Sequence, residues 1–524
     1  MDAVVTLPEI GVAVDGQALS AACQQALGEI MVSQQLSRPS QCELVFHDLP
    51  VESDLDTLMP GSTLIVTVTQ ERRRLFAGEV TAVNDRYGAD RGRELRVRCY
   101  DRLHRLRKRQ PVRAHADQTL AALAGSLVAD IGITVQGEDD GPMLRWLVQH
   151  RQSDLELLRT LAERGGYYFY LHDDVLRLMT LEGMEYPAQE LVLGDSLLEA
   201  GVEVNSDRAC RGVDVHAWDP WEAAPRPGHA TAARSGRRVA ATAEPERVGG
   251  EPVRSLAGRT LQDTVQADAL AQAELDRRHA NEVVLAGVAA GDPALHPGRV
   301  VQVSGLAAAV NGRYVLTAAR HRIDRRRGYL TEIDTSVAES TTSSDQGGMT
   351  IGLVTDVDDP QGLGRVRVSL PGFADTDSLW LQVLLPGAGK DKGLVALPDT
   401  GDRVLVMFAD DDPAQGVVLG GLYGEVTPPD EAGVASGAVE RFLFRTPGGQ
   451  RLTLDDGRRR VTVKNDNGEF LELAPDRLRA GNSDGSFIEL SSERVRLHAE
   501  VDLEIDAPGR SITIRGKSID FESA

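Results

Sequence analysis

The sequence predicts a mainly β protein with a few helices, arranged as three successive parts. Three observations lead there. Short runs that alternate apolar and polar residues recur along most of the chain, as half-buried antiparallel strands do. Helical periodicity is confined to a few segments before residue 282. The last part repeats one short strand-and-turn pattern many times over. At about 100–200 residues per domain, a chain of 524 residues has room for three or four domains.

The first part spans residues 1–340. Cys42–Phe46, Ser62–Val68, Leu75–Val80 and Glu94–Tyr100 read as strands. A helix is expected with Asp117 as its N-cap, since Leu120, Leu123, Leu127 and Ile131 then share one face. A second helix begins with a capping box, Ser153 with Glu156 three residues on, and stops at Gly165-Gly166. Tyr167–Tyr170 resumes a strand. Residues 219–256 are rich in Pro, Gly, Ala and Arg and read as an exposed excursion. An Ala-rich helix over 260–281 follows, then strands at Arg299–Ser304 and Arg313–Ala318.

The polar run Thr341–Gly348 reads as a linker that cannot offset its ordering cost by apolar burial. Residues 351–425 then carry five short strands between Gly and Pro turns: Ile351–Val357, Gly364–Leu370, Trp380–Leu384, Arg403–Phe408 and Val417–Leu422. That density suits a small closed barrel of the OB-fold type. A second linker is expected at Thr427–Gly437.

Residues 441–524 hold apolar pairs at alternate positions. They are Leu452/Leu454, Val461/Val463, Leu471/Leu473, Ile488/Leu490, Val495/Leu497, Leu503/Ile505, Ile512/Ile514 and Ile519/Phe521. Asn465–Leu473 aligns with Asn482–Leu490, and Asp476–Arg479 with Glu493–Arg496. Such strands, apolar on one side, need partners. Three chains around one axis would pool their inward residues, so this part reads as an intertwined trimeric β-helix. A single-chain solenoid is the alternative, disfavoured because the strand spacing drifts and corner filler is sparse.

Composition excludes several classes. Acidic residues number 79 against 57 basic, for a formal charge of −22, which opposes binding to a phosphate backbone. No apolar run reaches the ~18 residues of a membrane span. Met1–Val5 has neither a basic nor a continuous apolar region, so no Sec signal is expected. Cys23, Cys42, Cys99 and Cys210 form no zinc spacing and read as buried free thiols.

Chemical motifs are weak. In Pro386–Lys390 a phosphate loop would need Gly at Leu384 and Ser or Thr at Asp391. His104, His115, His150 and His172 lack any HExxH spacing or nucleophile elbow and read as structural. Consecutive carboxylates Asp410–Asp412 cannot all face one calcium ion. Arg325–Arg327 reads as a solvated hairpin tip. No catalytic, metal or cofactor-binding residue is assigned.

In this order the three parts resemble the VgrG-like spike proteins of contractile injection systems, whose hub is similar to phage late-control D-type tail proteins. The matching segments are Tyr100–Leu106, Gln149–Leu158 with Leu161 and Gly165–Phe169, His296–Val301, and Asn311–Val315 with His321. In the barrel they are Gly364–Val368, Trp380, Pro398–Val406, Pro413 and Val418–Tyr423. The resemblance implies a tail hub of two barrels over 1–340, an OB barrel over 351–425 and a trimeric needle over 441–524. It implies a homotrimer linking a hexameric inner tube and baseplate to a membrane-puncturing tip, without enzymatic activity or cofactor. Implied partners are tube and baseplate proteins, effectors in some systems, and a PAAR-repeat tip protein capping Ile514, Ile519 and Phe521. Membrane contact would come only on puncturing.

Only a short stretch separates barrel from needle, too little for a lysozyme domain. The needle's single His498 gives no His-x-His iron site, and no effector is expected after the needle. These departures look like the Photorhabdus virulence cassette and antifeeding prophage class: a particle assembled in the bacterial cytoplasm without a signal peptide. The runner-up is a baseplate cell-wall hydrolase, which would need a carboxylate pair in a cleft. A secreted carbohydrate-binding adhesin is disfavoured by the hub signature.

Overall fold

In the computed structural model the chain forms two compact units, Met1–Leu422 and Tyr423–Ala524. The residues described are 9–49, 52–69, 73–88, 92–184, 187–219, 224–261, 263–338, 348–373, 375–409, 412, 414–423 and 427–522.

The first unit is organised by one antiparallel sheet of eleven strands. Strands from Ile10 to Tyr100 form one half, and Leu197–Val204, Val283–Ala290, Ala318–Asp324 and Gly328–Asp334 form the other. The halves join where Ala318–Asp324 pairs with Leu27–Gln35. Inward residues of the first half, among them Val32, Leu44, Phe46, Val66 and Val97, make one core. The second core, with Leu197, Leu285, Val301, Val303 and Tyr314, is completed by the three-stranded sheet of Gln189–Val192, Val300–Ser304 and Gly312–Val315. The two barrels expected of the hub are therefore two cores served by one continuous sheet.

The helices keep the expected faces but move one boundary. Leu120, Leu123, Leu127 and Ile131 are all buried. Thr119, not Asp117, caps Leu120–Val128, its side chain accepting from Ala122 N. Asp117 lies in the strand Arg113–Thr119 at φ 47°. The capping box is complete: Ser153 Oγ accepts from Glu156 N, and Glu156 accepts from Ser153 N at 2.7 Å.

The predicted excursion at 219–256 is instead tied into a sheet at both ends, through Ala224–Ala230 and Val253–Thr260. Gly212–Asp219 pairs with Ala224–Ala230 and, in parallel, with Val253–Thr260. Val213, Val215 and Ala230 pack under Ala267, Ala271 and Leu275 of the helix Thr264–Glu282. Small residues that read as loop composition are there for closeness. A Cβ at Gly228 would sit 2.2 Å from the Ala267 backbone, so only glycine lets helix and strand approach.

The barrel strands are Met349–Asp356, Arg367–Leu370, Thr376–Asp377, Gln382–Val383, Arg403–Phe408 and Gly416–Gly421. A bridge between Val366 and Leu381 closes the ring around Val354, Val368, Val404, Val406, Phe408 and Val418. The predicted linker at 341–348 lies outside the described residues except Gly348.

In the second unit the other predicted linker holds a 3-10 turn, Pro429–Gly433, and a small hairpin of Val434–Ala435 with Ala438–Val439. The Arg441–Asp430 ion pair at 2.6 Å fastens it. Seven strands from Arg441–Arg445 to Val495–His498 follow, each paired antiparallel with its neighbour in sequence. Winding between chains was expected over 441–524. Over 441–498 the strands instead pair within one chain, as a meander.

Candidate functional site: the apolar face of the C-terminal sheet

Cross-strand partners lie on the same face of a sheet, so the register sorts every side chain of the meander. One face carries Phe442/Phe444, Leu452/Leu454, Val461/Val463, Leu471/Leu473, Leu478/Ala480, Ile488/Leu490 and Val495/Leu497. It is apolar at every position, two residues per strand over seven strands. Nearly all are solvent-exposed in the single chain, from 37% at Leu478 to 74% at Val495. A groove of about 510 Å³ runs over Phe444, Leu452, Val463, Leu471 and Ala480. Monomeric proteins rarely expose so continuous an apolar surface unless it binds something.

The opposite face is mostly polar, with ion pairs and arginine–aromatic stacking. Glu472 takes Arg460 at 2.8 Å and Arg477 at 3.2 Å. The Arg479 guanidinium stacks 4.0 Å over Phe487, with Arg496 at 5.2 Å from the same ring and His498 5.0 Å beyond. The aromatic residues here serve as platforms for arginine, so this face can meet water.

Five of the predicted apolar pairs fall on the one face. The sequence reading missed Phe442/Phe444 and Leu478/Ala480, although Arg441-Phe442-Leu443-Phe444-Arg445 alternates and Leu478 sits two residues from Ala480. Ile514, Ile519 and Phe521, assigned to tip docking, are 63%, 50% and 90% exposed, and none lies in a strand.

The chemical motifs resolve individually. Gly389 and Lys392 exchange backbone hydrogen bonds at 3.2 Å in an exposed barrel loop. Asp412 caps a turn, accepting from Ala414 N at 2.9 Å, whereas Asp410 and Asp411 lie outside the described residues. Asp324 accepts from the backbone N–H groups of Arg326 and Arg327 at the expected hairpin tip. His104 meets Glu79 at 2.9 Å, His115 lies 3.5 Å from Gln149, His150 packs edge-on to Phe373, and His172 stacks on His296. Cys42 and Cys99 face each other across paired strands, and burial pushes the Cys99 thiol up to about 12. Among the described residues no group of three or more His, Cys, Asp or Glu is placed to hold a metal ion, and no helix is long and apolar enough to cross a membrane.

One grouping has the composition of a hydrolytic triad. Ser235 Oγ is 2.6 Å from His279 Nδ1, and His279 Nε2 is 4.0 Å from Glu282 Oε2. Its geometry does not fit nucleophilic catalysis. Ser235 is 1% exposed, and the adjoining cavity of about 20 Å³ holds roughly one water. Glu282 is committed to Arg237 at 2.7 Å and to Ala243 N at 2.6 Å. The network fastens residues 235–243 to the helix.

His321 supplies a pH-dependent contribution to stability. It is 1% exposed, its Nδ1 lies 3.1 Å from Thr331 Oγ1 and 3.0 Å from Tyr329 Oη, and burial pushes it down to about 3. A histidine held neutral this way stabilises fully above its unfolded pKa of ~6.5, and that stability is lost as pH falls toward 3. In His321→Asn this dependence is absent. Between pH 7 and pH 5 the wild type is expected to lose about 2 kcal/mol relative to the variant. Parallel urea-midpoint profiles would contradict this.

Residues 33–326 match the family model for the phage tail baseplate hub (GPD), and residues 350–423 match that for the type VI secretion system/phage-baseplate injector OB domain. The fold is similar to a chain of the Francisella PdpA–VgrG complex, half-lidded, at 7% identity, TM-score 0.53, covering 95% of this chain and 89% of that one. It is also similar to an E. coli protein described as a component of the type VI secretion system with structural similarity to bacteriophage tail proteins. That match has 14% identity and TM-score 0.51, covering 79% of this chain and 99% of the other.

Proposed function

Because the chain belongs to the phage tail baseplate hub (GPD) family and carries a baseplate-injector OB domain after the hub, we propose that three copies form the central spike of a contractile injection machine. One observation carries this reading: a sheet apolar at every position of one face and exposed in the single chain. Each such side chain contributes on the order of 1–3 kcal/mol when buried. Three copies facing one axis bury all of them at once and turn the Arg479–Phe487 face outward. Three hubs, each with two halves of its eleven-stranded sheet, present six similar modules to a hexameric tube, and baseplate proteins surround them. The barrel collars the neck, and the shaft transmits force through its paired strands to a target membrane. The proposed role is mechanical, without a catalytic site or cofactor, and assembly occurs in the bacterial cytoplasm.

Light scattering is expected to give a mass three times that of the chain. A folded monomer at micromolar concentration would overturn the proposal. The hydrolase alternative gains nothing from the Ser235–His279–Glu282 network, which has no room for substrate.

A PAAR-type cap is proposed to dock on Ile514, Ile519 and Phe521. A chain lacking residues 517–524 is expected to lose cap binding while its hub still assembles. Unchanged affinity would move the docking surface elsewhere.

A further inference from the structure

The hairpin of Tyr168–His172 with Val175–Met179 turns on Asp173 and Asp174, at φ 49° and 61°. A two-residue turn with positive φ at both places usually has glycine second. Asp174 stands there instead, and both carboxylates are in use. Arg74 meets Asp173 at 2.9 Å and Asp174 at 3.4 Å, and Arg102 lies 3.6 Å from Asp174. The turn thus docks on the start of the strand Arg73–Gly88, in the first half of the eleven-stranded sheet.

The residue before the turn docks on the other half. His172 stacks on His296, ring centroids 4.9 Å apart and 28° between planes, and Tyr170 lies 5.4 Å from the same ring. His296 Nδ1 is 2.9 Å from the Pro297 carbonyl oxygen, which it can meet only as a donor. Four residues on begins the strand Val300–Ser304, which helps complete the second core. The hairpin itself belongs to the segment packed around Leu103, Leu123, Leu158 and Phe169. Its tip is therefore fastened to both halves at once, by ion pairs to one and by a histidine stack to the other. The same segment touches the barrel, where His150 meets Phe373 edge-on at 5.0 Å.

Both imidazoles are half-buried, so protons reach them. Stacked imidazoles that both carry charge repel, and their surroundings add to this. His172 faces Arg73, Arg74 and Arg177, and His296 faces Arg73, Arg299 and the buried His321. Asp173, 3.4 Å from His172 Nε2, works the other way, but Arg74 already holds it. We propose that the His172–His296 stack is an acid-sensitive latch: when both rings protonate, two cations among arginines repel and the hairpin tip leaves the sheet. Burial, with the arginines adding to it, holds His172 below its ordinary value and pushes His296 down to about 4. Histidines depressed in this way stabilise the closed latch fully above their unfolded pKa of ~6.5. That stability is lost as pH falls through the folded value, so the latch opens between about pH 6.5 and about pH 4. It lies within one chain and does not depend on the threefold assembly.

Hydrogen exchange on the full-length protein tests it, with rates corrected for their intrinsic pH dependence. Ser37 N donates to Phe169 O at 2.6 Å, so its amide reports docking of the hairpin, and the amides of His172–Val175 report fraying of the tip. From about pH 7 to about pH 4.5 these amides are expected to lose at least 10-fold in protection beyond any loss in the strand Gln41–His47. An equal change in both places would overturn the proposal. In His172→Phe with His296→Phe the rings still stack but cannot charge, and the extra loss is expected to vanish. Its persistence there would assign the acid response to the aspartates and overturn the latch. The single variant His172→Phe keeps the His296–Pro297 contact and is expected to fall between. A single variant as acid-sensitive as the wild type would also overturn the proposal.

Discussion

Leu471→Asp is expected to convert the assembled protein into monomers while leaving the fold of each chain intact. Leu471 lies between Val463 and Ala480 on the apolar face and is 40% exposed in the single chain. A carboxylate there reaches water, so a monomer tolerates it at the small cost typical of a surface substitution. In the proposed threefold assembly the same position would be enclosed, and three carboxylates would meet near one axis. Each loses its hydration without gaining a cation, at a cost of several kcal/mol per ion, and each repels the other two. The penalty, on the order of 10 kcal/mol per trimer, rivals the whole free energy of many stable complexes. Glu489→Leu on the opposite face is the control and is expected to leave the mass unchanged. Light scattering with far-ultraviolet circular dichroism checks both: the first reads assembly and the second reads fold. A trimeric Leu471→Asp protein would mean that this face is not the interface.

Legibility in the sequence followed how local the deciding interaction is. The apolar alternation of 452–497 was readable because each strand displays its own pattern, and the register then merely stacks those patterns. The Ser153–Glu156 capping box was readable because both partners sit within one turn. The sheet Gly212–Asp219, Ala224–Ala230, Val253–Thr260 was not. Its glycines and alanines are there to admit the helix Thr264–Glu282, a contact across some forty residues of sequence. The Asp117 cap failed for a related reason: pairing of Arg113–Thr119 with Met143–Gln149 carries the strand past Asp117 to Thr119.

For the site, sequence marked the apolar face and expected it to wind between chains, whereas the strands over 441–498 pair within one chain. One-sided strands demand a partner, but whether it is the next strand of the same chain or of another copy depends on the turns. The acceptor and glycine of Asn465–Glu469 and Asn482–Ser486 close those hairpins within the chain. The polar network at Glu282 left no trace in the sequence, because its members come from segments far apart in the chain.

That network carries the second large expectation. Glu282 ends the helix Thr264–Glu282, 1% exposed, and accepts from Arg237 at 2.7 Å and from Ala243 N at 2.6 Å, with Arg211 at 3.5 Å. Arg237 is itself buried and also donates to His279 O at 2.9 Å. Burial disfavours its charge, and the Glu282 carboxylate offsets that cost. Glu282→Ala removes the anion and leaves a buried guanidinium and a buried amide without it. Breaking a buried pair from one side costs about 3–5 kcal/mol, against a total stability of order 5–15 kcal/mol for a typical domain. The urea midpoint of the first unit is therefore expected to fall steeply, with the second core around Tyr314 failing first. Removing both charges is a different perturbation. Arg237→Leu with Glu282→Leu exchanges the ions for apolar volume, and such replacements are often neutral or stabilising. The double variant is expected to recover most of the loss, apart from the share due to Ala243 N. If it were as unstable as Glu282→Ala, Glu282 would be acting through its backbone and packing rather than by neutralising Arg237.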